Sequence, residues 1–247
     1  MAQPRQDGAV GADSHRLWFL PPAGQEVQRR ALTRERVVAE ALAIIAEHGV
    51  AALSMRALAT RLDVVPGALY RHVRNKEQLH DLVLDEVLAE VDTRTDEHAA
   101  WTGRIRVLAH RLRAVLERHP GIAGLLKTRD PLGPHSLDLA EAFLAPLREA
   151  GLPPRQTGLA YSLIYGFTLG FALDGPGSVN EQRVRDDATR AELHAFLRAL
   201  PSDRFPALVA LGEHVWVDNR DERFTTALDT ILHGLETTLL PAGDAAS

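Results

Sequence analysis

Apolar positions recur at helical spacing in several stretches of the chain, and no stretch alternates with period two between turn residues. The first clear stretch opens at Thr33, a good N-cap. It carries Val37, Val38, Ala41, Leu42, Ile44 and Ile45, and Gly49 supplies its stop. A second starts at Ser54, another candidate N-cap, and runs through Met55, Leu58 and Leu62. After a break at Asp63-Val64-Val65, Pro66 stands where a first helical turn accepts proline. It opens a third helix through Ala68, Leu69 and Val73. Asn75 with Gln78 three residues later has the form of a capping box and predicts a fourth helix to about Val91.

Beyond a linker near Thr93–Ala100 the periods lengthen. Helices are expected over Trp101–Arg118, Ser136–Ala150 (ended by Gly151) and Pro154–Leu173. Asp174–Asn180 is rich in Gly and Pro and reads as a loop. Weaker helices are expected at about Asp187–Ala199 and Pro206–Glu213, with a last one over Asp221–Leu239. The fold class is therefore all-α, an N-terminal three-helix head on a larger helical body. The expected divisions are a flexible arm at 1–32, the head with a connecting helix at 33–92, the body at 93–240 and a tail at 241–247.

Composition narrows the picture. The 247 residues suffice for one or two domains with a sizeable core, and no apolar run of about 18 residues suggests a membrane span. The N-terminus lacks the pattern of a signal peptide, and a cytoplasmic location is expected by default. With no cysteine, disulfides, thiolate metal sites and a cysteine nucleophile are excluded. The net charge of −5 argues at first against a nucleic-acid partner. However, Arg29 to Lys76 holds nine basic against four acidic residues, a local +5 that leaves −10 for the rest. A basic module on an acidic body is one reading, and a solvated charged face is the other.

The second and third helices with their short turn have the form of a helix-turn-helix, whose second helix enters the DNA major groove. Leu58, Ala59, Leu62, Val64, Leu69 and Val73 can pack together, leaving Pro66, Gly67, Ala68, Tyr70, Arg71 and His72 for DNA. Small residues at 67 and 68 let the helix N-terminus approach base edges and phosphates. The run LSMRALATRLDVVPGALYRHVRNKEQLHDLVLDEVL, with Tyr-x-His-Val-x-x-Lys at Tyr70–Lys76, strongly resembles the DNA-binding domain of the TetR (tetracycline-repressor) family. Trp101, Thr128-Arg129, Phe167-Thr168-Leu169-Gly170 and Leu232-His233-Gly234-Leu235-Glu236 resemble that family's ligand-binding and dimerisation body more loosely.

The resemblance implies a base contact for Arg56 and phosphate contacts for Tyr70, His72 and Lys76, helped by Ser54 and Arg71. Half-buried packing is the alternative for Tyr70, and an ordinary surface histidine for His72. Arg61 reads as a solvated helix charge. Val65 departs from the pattern, because a small polar cap is expected before the recognition helix. The resemblance also implies a palindromic double-stranded DNA operator and a homodimer. The dimer would form through Pro154–Leu173 and Asp221–Leu239, with Gly166 and Gly170 allowing close approach; simple loosening of the helix is the alternative reading of these glycines.

A small-molecule inducer is implied in the body, at positions matching Leu108, Leu112, Leu125, Arg129, Ala140, Phe143, Tyr161 and Tyr165. Tyr161 and Tyr165 share a helix face, so an apolar, aromatic cavity is expected, with a filled core as the alternative. For Arg129 the alternative is a salt bridge. The positions that hold drug and magnesium through histidines in the tetracycline repressor are Asp92 and Leu125 here, and only Asp174 survives of the acidic metal shell. One carboxylate does not make a hard-cation site, so neither a metal nor any other cofactor is expected. The chain lacks the glycine-rich phosphate-binding, zinc-protease and nucleophile-elbow motifs, which weighs against an enzyme. A scaffold that has lost DNA binding is the other rival, disfavoured by the retained Arg56, Tyr70, His72 and Lys76.

Overall fold

The computed structural model describes residues 31–129, 131–173, 187–215 and 220–238. Contacts separate Met1–Leu32 from Thr33–Ser247, and the architecture below is that of the second unit. Its described residues form helices and no strand. The head contains α1 (Arg34–His48), a 3-10 turn (Val50–Ala52), α2 (Met55–Arg61) and α3 (Pro66–Leu69), and α4 (Lys76–Leu88) follows. The body contains α5 (Trp101–Arg118), α6 (Ile122–Lys127), α7 (Pro134–Glu149) and α8 (Pro154–Leu173). It ends with α9 (Asp187–Arg198), α10 (Pro206–Val215) and α11 (Arg220–Thr238). This is the all-α, helix-turn-helix architecture that the periodicity predicts. The loop Asp174–Asn180, the end of the last helix at Leu239, the arm before residue 31 and the tail lie outside the described residues.

Side-chain caps start α1, α2 and α4. Thr33 Oγ1 accepts from the Arg36 N–H at 3.2 Å, Ser54 Oγ from Ala57 N–H at 3.1 Å, and Asn75 Oδ1 from Gln78 N–H at 2.8 Å. Gln78 reaches back to the N–H of Arg74 at 2.7 Å, one residue short of the usual capping-box donor. Val65 offers no cap to α3, so Pro66 alone sets its start.

Several helical bounds differ from the pattern-based expectation, and one helix was not expected at all. The third helix does not run to Val73: α3 ends at Leu69 and a turn covers 70–72, although Val73 N–H still reaches Leu69 O at 3.0 Å. The reason is the cap of α4, which needs extended backbone at Asn75 (φ −161°, ψ 179°) and so unwinds the chain before it. The fourth helix closes at Leu88, not Val91. The helix expected from Ser136 begins at Pro134, with Ser136 already in its first turn. Lastly, α6 is six residues long, too short to display a period, and its start at Gly121 needs a φ of 88°.

Each part has its own core. In the head Leu53, Leu58, Leu69 and Leu79 are fully buried; truncating any one to Ala would cost about 2–5 kcal/mol. In the body α5, α7 and α8 pack on one another around Leu108, Leu112, Phe143 and Ile164. Helix α4 belongs to both, meeting α1 on the head side and α5, α6 and α7 on the body side. A second head–body contact sets Gly121 against Val50; a Cβ there would come within 2.9 Å of the Val50 side chain.

Candidate nucleic-acid and ligand interfaces

The reading head is a thin shell of polar side chains over a closed apolar base. Leu58, Ala59, Leu62, Leu69 and Val73 are buried as expected, whereas Val64 is only half-buried. Arg56, Pro66, Gly67, Tyr70 and Arg71 are exposed, and Ser54, Ala68, His72 and Lys76 are half-exposed. Tyr70, at 55% exposure, is not held in the core. Nothing lies within 4 Å of where a Cβ of Gly67 would sit, so that edge of α3 is open.

The turn between α2 and α3 has a backbone of its own. Val64 N–H bonds to Ala59 O at 3.0 Å and Asp63 N–H to Thr60 O at 3.2 Å, the paired bonds of a Schellman motif. The motif needs a left-handed residue, and Asp63 supplies it at φ 53°.

Arg61 is more than a solvated charge. Its Nε donates to Glu40 at 2.7 Å, and its two terminal nitrogens grip Glu47 at 2.6 and 2.7 Å, tying α2 to α1. The fork holds the Glu47 carboxyl below its ordinary range through the hydrogen bond from Arg61.

In the body, Phe143, Tyr161 and Tyr165 form a chain of rings. The tyrosines stack with centroids 5.5 Å apart, and Phe143 meets Tyr161 edge-on at 6.3 Å. Leu108, Leu112 and Phe143 are fully buried; Leu125, Ala140, Tyr161 and Tyr165 are half-buried. Arg129 is held by α4. It pairs with Asp81 of α4 at 2.9 Å and donates to Glu77 O at 3.1 Å, the salt-bridge alternative foreseen for it. Gly166 and Gly170 are exposed with nothing within 4 Å of a Cβ, and Leu159, Leu163 and Leu173 are exposed on the same helix. The positions 159, 163, 166, 170 and 173 form a seam of apolar and small residues at heptad spacing.

Comparison with known proteins gives the family of both parts. The model of the bacterial regulatory proteins of the tetR family matches residues 37–83, and the tetracyclin repressor-like C-terminal domain matches 95–239. The chain belongs to the TetR family. An HTH-type transcriptional regulator of Saccharopolyspora erythraea is 34% identical over 206 residues, covering 82% of each chain. The transcriptional repressor DrrR1 of Streptomyces coeruleorubidus is 29% identical over 234 residues, 93% of this chain and 86% of that one. The structure of ActR from Streptomyces coelicolor in complex with actinorhodin superposes with a TM-score of 0.78 at 33% identity, covering 88% of this chain and all of that one. This TetR-family chain is a DNA-binding transcriptional regulator and not an enzyme. Among its described residues no helix is long and apolar enough to cross a membrane.

The donor set of this family member does not fit a drug–magnesium pair. The Asp92 carboxylate is engaged by Arg94 at 2.9 Å and Arg111 at 3.6 Å, and Leu125 offers no donor. Asp174 lies outside the described residues.

Sequence reasoning missed a buried polar cluster. Arg113 of α5, only 6% exposed, pairs with Glu117 at 2.7 Å and Asp221 at 2.5 Å, and lies 4.8 Å from the Phe224 ring centroid. Arg220 joins Glu117 at 3.0 Å and donates to Phe171 O at 2.6 Å, so the cluster pins α5, α8 and α11 together. The sequence signal was weak: Arg113 is an arginine at a core position of an otherwise apolar stripe.

Proposed function

We propose that the chain is a homodimeric repressor that binds a palindromic operator and is released by a bulky, largely apolar small molecule. The observation that carries this reading is the head. Arg56, Tyr70, Arg71, His72 and Lys76 stand at the surface around the open N-terminal edge of α3, on a base that is fully packed. In that arrangement Arg56 reads a base through two parallel donors, and Pro66, Gly67 and Ala68 let α3 sit close to base edges. Tyr70, His72, Lys76, Ser54 and Arg71 hold phosphates and set the register.

One head covers one half-site, so an operator needs two heads in fixed relation. The seam on α8 supports self-association, because an exposed apolar row with two side-chain-free positions suits a second helix at close range. For the inducer, the stacked Tyr161 and Tyr165 with Phe143 favour a flat, ring-bearing molecule. ActR, which is similar over most of this chain, has been solved with actinorhodin. Leu108, Leu112 and Leu125 would supply its apolar walls. Arg129, committed to Asp81, would act at the rim rather than as the main anchor. Release follows when the ligand prefers a body conformation that spaces the two heads wrongly, since only differential affinity shifts the equilibrium.

The test is a mobility shift of the DNA upstream of its own gene, with and without actinorhodin. Saturable retardation that outlasts nonspecific competitor and is lost on adding actinorhodin is the expected result. Retardation that competitor DNA abolishes would end the operator reading. A complex indifferent to actinorhodin would end the ligand part of the reading alone.

A further inference from the structure

Helix α7 has no cap of its own. Gly133 stands at its N-cap position and brings no side chain to the free N–H groups of the first turn, and Pro134 follows it. The missing acceptor comes from another element. Asp85 of α4, 8% exposed, accepts the Ser136 N–H on Oδ1 at 2.9 Å and meets His135 Nδ1 through Oδ2 at 3.1 Å. A carboxylate at this place satisfies an orphan donor and faces the positive end of the helix dipole. Gly133 makes room for it: a Cβ there would lie 2.3 Å from the Asp85 carboxyl carbon. The backbone at Gly133 (φ −79°, ψ 168°) suits any residue, so space and not conformation demands glycine.

The two ends of this contact lead to the two interfaces. Helix α4 starts at Lys76, directly after the head. Helix α7 carries Phe143, whose ring meets Tyr161. We propose that Asp85 is a positioning residue that locks α4 to the N-terminus of α7 in the operator-reading placement of the head. Ligand occupancy beside Phe143 reaches the head by loosening this cap. The proposal rests on the operator-binding reading above, and its sense is definite: closed cap, competent head.

Four full-length variants test it: Asp85→Asn, Asp85→Ala, Gly133→Ala and the Asp85→Ala/Gly133→Ala double. Gly133→Ala expels the carboxylate from the body side and Asp85→Ala removes it from the head side. Each should weaken operator binding about tenfold, the middle of the usual coupling range. The double variant should be no weaker than either single, because both break one contact. Asp85→Asn should fall between, since its amide oxygen still accepts from Ser136. Measurements are made well below each variant's melting temperature, so that a merely stabilising cap would lower melting and leave operator affinity untouched.

A DNA-free readout separates this idea from the function it rests on. The chain has no native cysteine, so spin labels at Ala46→Cys and Glu141→Cys, both exposed, report head-to-body distance. A broadened or displaced distance distribution in Asp85→Ala and Gly133→Ala is expected, even if wild-type protein binds no upstream DNA and the operator reading falls. Unchanged distances, or operator affinities within twofold of wild type, or additive losses in the double variant, would overturn the proposal.

Discussion

At Asp63 one residue's left-handed backbone shapes the turn that leads into α3. The left-handed conformation costs a residue with a Cβ about 1–2 kcal/mol, less for Asp than for a branched side chain. Asp63→Gly should therefore keep or slightly raise the melting temperature, and Asp63→Val should lower stability by about 1 kcal/mol or more and weaken DNA binding with it. Denaturant melts of the three proteins decide the matter. The proposed roles at the DNA surface divide into base and phosphate contacts. Arg56→Ala should lose about 1–3 kcal/mol of operator affinity and relax preference at one base position per half-site. Lys76→Ala should weaken all sequences alike and reduce the log–log salt slope by about one unit. Equal loss of base preference from both would refute the division. Two histidines set a pH response. Burial, with Lys76 and Arg129 nearby and only partly offset by Glu77 and Asp81, holds His80 below the ordinary 6.5. Its Nε2 is buried without a partner. Burial and then Arg113 do the same for His110, which packs edge-on to Phe224 at 4.9 Å. The unfolded chain then takes up protons at a higher pH than the fold does, so stability is full above the ordinary value and falls as pH drops below it. Urea midpoints should fall between about pH 7.5 and about pH 5.5, and His80→Leu should flatten that slope. An equally steep slope in the variant would exclude His80 as a cause.

At the scale of elements, long periodic helices were legible from the chain and short ones were not. The bounds of α5 and α8 follow from eighteen and twenty residues of pattern. Helix α6, at six residues, and α3, at four, are set by what surrounds them: a left-handed Gly121 in one case, the demands of Asn75 in the other. Helix α8 shows both sides of this. Its mean character is apolar nearly all round, so pattern alone does not say which face stays open in one subunit. The fold answers: Ala160, Ile164 and Ala172 turn inward, and Leu159, Leu163, Gly166, Gly170 and Leu173 turn outward. Gly166→Leu or Gly170→Leu should therefore leave the folded subunit intact while weakening self-association and operator binding together. Sedimentation at micromolar concentration checks it; an unchanged dimer would place the glycines off the interface.

For the whole molecule the question is how an acidic protein binds an acidic polymer. The excess of base is confined to Arg29–Lys76; the six acids Glu77, Asp81, Asp85, Glu86, Glu90 and Asp92 follow it on and just past α4 with no Lys or Arg among them, and the body beyond is nearly balanced. Association should therefore depend on salt through a few head contacts, with the acids of α4 limiting nonspecific coating of DNA. The arm bears Arg16, Arg29 and Arg30, which lie outside the described residues, and arginines in such a place suit a minor groove beside the half-site. Deleting residues 1–28, or replacing Arg29 and Arg30 with Ala, should lower affinity and reduce the salt slope by close to one unit per lost phosphate contact. Affinity and slope unchanged in both variants would leave recognition to the helix-turn-helix alone.

The sequence by itself determined the helical class, the side-chain caps of α1, α2 and α4 and the family's helix-turn-helix. These depend on local chemistry: spacing of apolar residues, a hydroxyl or amide one turn before a free N–H, a run of motif residues in fixed order. Only the tertiary structure decided the long-range polar contacts. Arg61 looked solvated until α1 brought Glu40 and Glu47 to it, and Arg129 became the partner of Asp81. Arg113 found its acids and rings on two helices. Asp85 and Gly133 carry no local sign of each other, 48 positions apart in the chain, yet one is the cap and the other the space it fills. A charged side chain's partner is set by which helices the apolar core has packed together, and that packing is a property of the whole fold.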